Sequence, residues 1–409
     1  MKALVLAAGE GKRMLPLTEN KPKPMLAIAG KPMIQRSLEA LRDNGITDVT
    51  IIIGWESKKI RTFLGSGSDL GMNIQYLMQE KRMGTAHAIG TGEPNMGGEE
   101  FISINGDVLL TPNMVKAVLD RYNETGKTIM SLAEVPDPCG FGVIETRDGM
   151  VDKIWEKPEC PPTNTVNAGI YCFKPGIFDR IRQTPLSPRG EYEITDTLRE
   201  LVADEGVASL LLPDKWLDIG RPWDLLEANK YHMENLETSI EGEVEDGVTI
   251  RGPVVIKKGA YIKAGTYIEG PVIIDEKARV GPNSYLRPST YIGKGCHIGA
   301  ATEIKNSIIM DNSNAPHHNY VGDSIMGEGC NLGSGTKVAN LRFDDGNVPT
   351  VLKGKLVDSG RRKLGIIMGD NVKTGLNVCL DPGTVVGGGV RIAPGAYVRG
   401  YLAPGSFVK

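Results

Sequence analysis

Stepping by six from Ile250, the chain reads Ile250, Ile256, Ile262, Ile268, Ile274, Val280, Leu286, Ile292, Ile298, Ile304 and Met310, every one aliphatic or Met. The residues two before these are Val248, Val254, Ala260, Thr266, Val272, Ala278, Ser284, Thr290, Cys296, Thr302 and Ile308, nearly all small or β-branched. Two such rows in step are an internal repeat. Six fits neither the period of a helix nor that of a plain strand. It fits a short strand and a turn, three of which close a triangular coil of about 18 residues. Each aliphatic residue then points inward and stacks on its equivalent one coil away, at about 4.8 Å. The pattern resumes more weakly at Met326, Leu332 and Val338, and again at Met368, Leu380, Val386, Ile392 and Val398. Two interruptions, 311–320 and 341–365, are expected to project from the coil as loops, where function often resides.

The first half carries a different pattern. Residues 3–8 read as a buried strand, and 48–53, 74–78 and 101–105 as three more. Residues 32–44 have helical spacing, with Ile34, Leu38 and Leu41 on one face. Helical stretches between strands predict a doubly wound, Rossmann-like α/β sheet, whose ligands bind beyond the carboxyl ends of its strands. Residues 223–236 read as an amphipathic helix. The expected organisation is a first domain over 1–225, a linker helix over 226–245 and a second domain over 246–409.

Composition narrows the function. The 409 residues exceed one ordinary core. A net charge of −3 gives no basic stripe for nucleic acid and no polybasic membrane anchor. No apolar run approaches the ~18 residues of a membrane span. The six cysteines form no CxxC pair, so neither a zinc site nor a disulfide framework is indicated. A reducing, cytoplasmic setting is expected.

The first strand runs into Gly9-Glu10-Gly11-Lys12-Arg13, followed by Lys21-Pro22-Lys23-Pro24. Glycines let backbone N–H groups approach a phosphate chain, and Arg13 and Lys23 add positive charge. A lone GxG also fits a dinucleotide loop, but Met14 holds the place of that fingerprint's third glycine. This stretch resembles the signature of sugar-1-phosphate nucleotidyltransferases. So, in family order, do Gln79 with Gly84-Thr85-Ala86, Asn105-Gly106-Asp107, Gly140-Phe141-Gly142, Glu156-Lys157-Pro158, Asn167-Ala168-Gly169, 191–196 and Trp216-Leu217-Asp218. The resemblance implies attack of a sugar phosphate oxygen on the α-phosphorus of a nucleoside triphosphate. That nucleophile is already anionic, so the protein must position and neutralise. By the same resemblance Gly9, Gly11, Arg13 and Lys23 serve the triphosphate, and Gln79, Gly84 and Thr85 the base. Lys157 serves the sugar phosphate, Gly142, Glu156 and Asn167 the sugar, and Asp107 and Asp218 a Mg²⁺ ion.

In the second half Arg287 and Lys305 each follow an inward position and lie one coil apart. Stacked cations repel unless an anion lies between them; the alternative is that both face solvent. Further on come His317, His318 and Tyr320, in a chain with only five histidines. A protonated amine must lose a proton before attacking a thioester, and His is the usual base; an exposed polar loop is the plainer alternative. Arg287, Lys305, Ala315-Pro316-His317, Tyr320, Gly322-Asp323, 331–336 and Asn340 resemble the bifunctional glucosamine-1-phosphate acetyltransferase and N-acetylglucosamine-1-phosphate uridylyltransferase family. The resemblance implies a left-handed parallel β-helix of hexapeptide repeats, His317 as general base, and Arg287 and Lys305 at the sugar phosphate. It also implies Tyr320, Asn331 and Asn340 at the sugar and acetyl group, acetyl-CoA as co-substrate, UTP as nucleotide and a homotrimer. Three departures stand out: 341–365 aligns poorly with the bacterial enzymes, little of their C-terminal arm follows the last coil, and His318 replaces an apolar neighbour. Pro16-Leu17-Thr18 and Lys21-Pro-Lys-Pro look more like glucose-1-phosphate thymidylyltransferases, which keeps dTTP and a merely structural β-helix open as the alternative.

Overall fold

The computed structural model describes residues 1–409, which form two compact units. The first comprises 1–10, 22–25 and 32–218, the second 11–21, 26–31 and 219–409. The signature loop after the first strand is therefore shared out: Gly9 and Lys23 pack with the first unit, Gly11 and Arg13 with the second.

The first unit is built on a nine-stranded sheet. Strands Asn73–Met78, Asp48–Ile53, Lys2–Ala7 and Phe101–Asn105 lie side by side and parallel. Near-continuous apolar runs such as 48–53 suit this, because parallel strands are covered on both faces. The covering helices include Met33–Arg42 and Pro112–Thr125, which bury Ile34, Leu38, Leu41, Met114, Val115 and Val118 against one face. Beyond Phe101–Asn105 the sheet turns mixed: Thr165–Phe173 runs antiparallel to it, and the hairpin of Gly142–Arg147 and Met150–Glu156 forms the far edge.

In the second unit a helix, Asp224–Met233, precedes the coil, and the parallel ladder opens at Ser239–Ile240, ahead of residue 246. Three stacks of short parallel strands follow, one per face of the coil. Ile250 lies beside Ile268, then Leu286, then Ile304, each step one full coil. The inward row is buried throughout, from Ile256 to Ile304.

Two expectations about the repeat are corrected. Ile292 pairs with Ile309, not Met310, and it is Ile309 that enters the core row. The coil is shortened there by one residue. Ile308-Ile309-Met310 is apolar throughout, so counting by six does not reveal the slip. Nor is 311–320 a projecting loop: Asn314–His317 pairs with His297–Ala300, and Tyr320–Gly322 with Glu303–Lys305, as ordinary coil strands. The second interruption does leave the coil, as an antiparallel hairpin of Pro349–Leu352 and Lys355–Asp358. Afterwards the ladder resumes, with Met326 beside Met368.

Candidate functional site

In the first unit the candidate residues gather beyond strand ends. Lys23 Nζ lies 2.9 Å from Asp107 Oδ2, just past Phe101–Asn105. An isolated antiparallel bridge between Val108 and Asp218, with Leu109 N–H donating to Leu217 O at 3.1 Å, brings the Asp218 backbone alongside. The two acidic residues thus share one strand end. No group of three or more His, Cys, Asp or Glu side chains forms a closed metal cage. Two hard carboxylates without a cage fit Mg²⁺, which keeps waters and phosphate oxygens as its other ligands.

Gln79 is buried, and its Nε2 lies 2.9 Å from His87 Nδ1 and 3.3 Å from Gly84 O. Gly84 has φ +102°, and a Cβ there would fall 2.4 Å from Tyr192 O. Only glycine suits that close backbone approach. Thr85 Oγ1 accepts from Ile194 N–H at 3.1 Å, so the segments 79–85 and 192–195 are one structure.

The expected sugar residues also converge. Gly142 and Glu156 are register partners across the edge hairpin, and a Cβ at Gly142 would meet Glu156 Oε2, Thr195 Cγ2 and Asn167 Cβ. Glu156 accepts from Thr195 Oγ1 at 2.9 Å and from Arg189 at 2.7 Å, and Lys157 Nζ stands 3.3 Å from it. Asn167 donates to the Tyr171 hydroxyl at 2.7 Å. Burial pushes the Glu193 carboxyl above its ordinary value, against the pull of Arg189. Glu193 and Thr195 lie in the segment 191–196 that the sequence singled out; Arg189, just before it, was not picked out. Arg13 lies exposed on the turn Lys12–Met14, after Gly11 with its left-handed φ of +64°. Gly9 has open space around its Cα.

On the coil, Arg287 and Lys305 do stack on adjacent turns, since Leu286 pairs with Ile304. They are not left to repel. Arg287 pairs with Glu303 at 2.9 Å, and Lys305 with Asp323 at 3.0 Å. The Arg287 guanidinium also lies 5.7 Å from the Tyr285 ring centroid. A Cβ at Gly322 would fall 2.6 Å from Asn340 Nδ2 and 2.7 Å from the Tyr320 hydroxyl. Those two groups therefore meet over a glycine, beside Lys305. Burial raises the Tyr320 phenol, helped by Glu303 and Asp323.

His317 and Asn331 lie on another strand stack. His317 is exposed at the end of Asn314–His317, its backbone N–H held by Asn319 Oδ1 at 3.1 Å. It is separated from Tyr320 by a single corner of the coil. Asn331 pairs with Asn314 one coil away. Lys337 donates to the His318 carbonyl. His297, on the strand beside His317, has its pKa lowered by burial and then by Arg279, His317 and Lys263. The Asp323 carboxylate, buried between Lys305 and Asn340, received no role from the sequence.

A nucleotidyl transferase family model matches residues 2–235, and a model of the GMPPB C-terminal domain matches 268–403. "Bifunctional protein GlmU" of Methanocaldococcus jannaschii is 42% identical over 409 residues, covering 100% of this chain and 97% of that protein. A "bifunctional sugar-1-phosphate nucleotidylyltransferase/acetyltransferase" of Sulfurisphaera tokodaii is 40% identical over 411 residues, covering 100% of both. A Bacillus anthracis structure described as a glucose-1-phosphate thymidylyltransferase in complex with sucrose superposes with a TM-score of 0.54 at 31% identity, over 58% of this chain and 97% of that one. No helix is long and apolar enough to cross a membrane.

Proposed function

The chain belongs to the family of bifunctional sugar-1-phosphate nucleotidylyltransferase/acetyltransferases, and from that premise we propose that it makes UDP-N-acetylglucosamine from glucosamine 1-phosphate. Acetyl transfer from acetyl-CoA comes first, on the β-helix. Uridylyl transfer from UTP follows, in the first domain, with release of pyrophosphate. The assembly is a cytoplasmic homotrimer.

For acetyl transfer, His317 takes the proton from the sugar ammonium, freeing the nitrogen lone pair to attack the thioester carbon. The C–N bond forms, the C–S bond breaks, and the departing thiolate takes the second nitrogen proton, so that CoA leaves as thiol. Arg287 and Lys305 hold the sugar phosphate through charge-assisted hydrogen bonds. Tyr320, Asn331 and Asn340 hold the sugar and acetyl group. For uridylyl transfer, Arg13 and Lys23 neutralise the triphosphate and Lys157 the incoming sugar phosphate. That lowers the repulsion between two anions. Gly9 and Gly11 let the phosphates close on the backbone. Gln79, Gly84 and Thr85 read the base, and Gly142, Glu156 and Asn167 hold the sugar. Asp107 and Asp218 would hold Mg²⁺, which supplies further charge neutralisation when bound.

The observation that carries this reading is the polar cluster of Arg287, Lys305, Tyr320 and Asn340 on the coil, which a purely structural tail does not require. The test is thiol release from acetyl-CoA with glucosamine 1-phosphate, corrected for the protein's own cysteines. Wild type should release thiol only with the amino sugar, and His317→Ala should lose roughly 10²–10⁴-fold in rate. No release from wild type, with pyrophosphate still formed from UTP or dTTP, would leave the β-helix as scaffold alone.

A further inference from the structure

Asp323 is a buried carboxylate, 4% exposed, between successive coils. Its Oδ2 accepts from Lys305 Nζ at 3.0 Å and from Asn340 Nδ2; its Oδ1 accepts from Asn306 Nδ2 at 2.7 Å. Lys305 and Asn306 lie one coil before it, and Asn340 one coil after. The residue has φ +50°, a left-handed corner. Other left-handed corners of this coil hold Asn, which tolerates that region well, at 283, 306, 312, 371 and 377, and Lys277, Ser289, Ala301 and His318 elsewhere. The turn alone therefore does not call for an acid. A buried carboxylate is costly unless paired and hydrogen-bonded, and here every partner belongs to, or adjoins, the acetyl-transfer site.

The hydrogen-bond directions add a second argument. A carboxylate only accepts, so the Asn340 amide must present its NH₂ to Asp323. The same Nδ2 lies near the Tyr320 hydroxyl, over Gly322. An NH₂ offers only donors, so Asn340 Oδ1 is the end left to accept from a ligand, and a Tyr320 oxygen facing Nδ2 keeps its own hydrogen to donate.

We propose, resting on the acetyl-transfer reading above, that Asp323 is a positioning residue for the amino-sugar phosphate. It fixes the Lys305 ammonium for the phosphate. Through Asn340 it also sets which atoms of Asn340 and Tyr320 accept and which donate toward the sugar. It touches no reacting atom.

Asp323→Asn tests this, because Asn keeps the left-handed corner and the side-chain shape while losing the charge and putting an NH₂ toward one of the donors. The KM for glucosamine 1-phosphate should rise about 10–100-fold, the range expected on losing a charged hydrogen bond. The kcat and the KM for acetyl-CoA should change little, and pyrophosphate release at the other site not at all. The double variant Lys305→Met with Asp323→Asn should bind the sugar phosphate less than additively worse than the two single variants, because both act through one ammonium. An unchanged or lowered KM, full additivity, or a fall in kcat and both KM values together would each overturn the proposal. A wild type that releases no thiol would instead overturn the acetyl-transfer reading beneath it, a result distinguishable from the first three.

Discussion

In the nine-stranded sheet, spatial neighbours come from scattered parts of the chain: Phe101–Asn105 has Lys2–Ala7 on one side and Thr165–Phe173 on the other. In the coil a neighbour is one turn away along the sequence, as Tyr267 is from Tyr285, except where the excursion 341–365 intervenes, as between Met326 and Met368. The two regions therefore build sites differently. The sheet gathers Gly142, Glu156, Asn167 and Thr195 through long-range pairing and loops. The coil stacks Lys305, Asp323 and Asn340 simply by repeating. A residue's partners in the coil follow from counting, but an error of one in the count moves the wrong side chain to the site.

The sharpest way to break the comparison is to disable one region and assay both. Lys23 pairs with Asp107 in the first unit and has no part in the coil's cluster. Lys23→Ala should lower nucleotidyl transfer about 10³-fold, as removing a preorganised charge does. Thiol release from acetyl-CoA should stay within about twofold, as expected for independent sites that share no partners. A parallel fall in both activities would show that the regions do not act as separate catalysts.

The same contrast explains what could be read from the chain. Strands at 48–53 and 101–105 were legible because buried parallel strands are continuous apolar runs, and the structure has them at Asp48–Ile53 and Phe101–Asn105. The inward row was legible as far as Ile304. The slip to Ile309 was not, since a shortened corner inside three consecutive apolar residues leaves no trace in polarity. Arg189 was hidden for another reason: its meeting with Glu156 depends on long-range folding, which spacing does not encode. Asp323 had a usable signal, the one acid among left-handed coil corners that most often hold Asn.

Two glycines sharpen the comparison with intermediate effects. A Cβ at Gly84 would strike the backbone oxygen of Tyr192 at 2.4 Å, at φ +102°. Gly84→Ala should cost about 1–3 kcal/mol of stability, visible as a lowered urea midpoint, and weaken nucleotide use. A Cβ at Gly322 would instead strike two movable groups, Asn340 Nδ2 and the Tyr320 hydroxyl. Gly322→Ala should leave the urea midpoint nearly in place while acetyl transfer falls about 10-fold, the equivalent of one displaced hydrogen bond. A large stability loss at Gly322 with acetyl transfer intact would reverse the assignment of rigidity to the one region and chemistry to the other.

The smallest expected effect separates the regions by the sign of a pH dependence. Glu193, in the first unit, is 7% exposed, and burial raises its pKa from the ordinary 4.5 despite Arg189; Glu156 and Glu191 push the same way, and Lys157 opposes. Once the pH passes 4.5 the unfolded chain has released this proton while the native state still holds it. Stability is then lost as pH rises through the folded pKa. His297, on the coil, is half-buried, and burial with Arg279, His317 and Lys263 lowers its pKa from 6.5. Here the unfolded chain takes up the proton first, so stability is lost as pH falls from 6.5 through the folded pKa. Glu193→Gln should therefore flatten the stability profile on the alkaline side of 4.5, and His297→Gln on the acid side of 6.5. Urea midpoints measured across both windows check the pair. Profiles that run parallel to wild type would mean that neither group carries its proton differently on folding. A slope change of the opposite sign at Glu193 would mean that Arg189 and Lys157, rather than burial, dominate there.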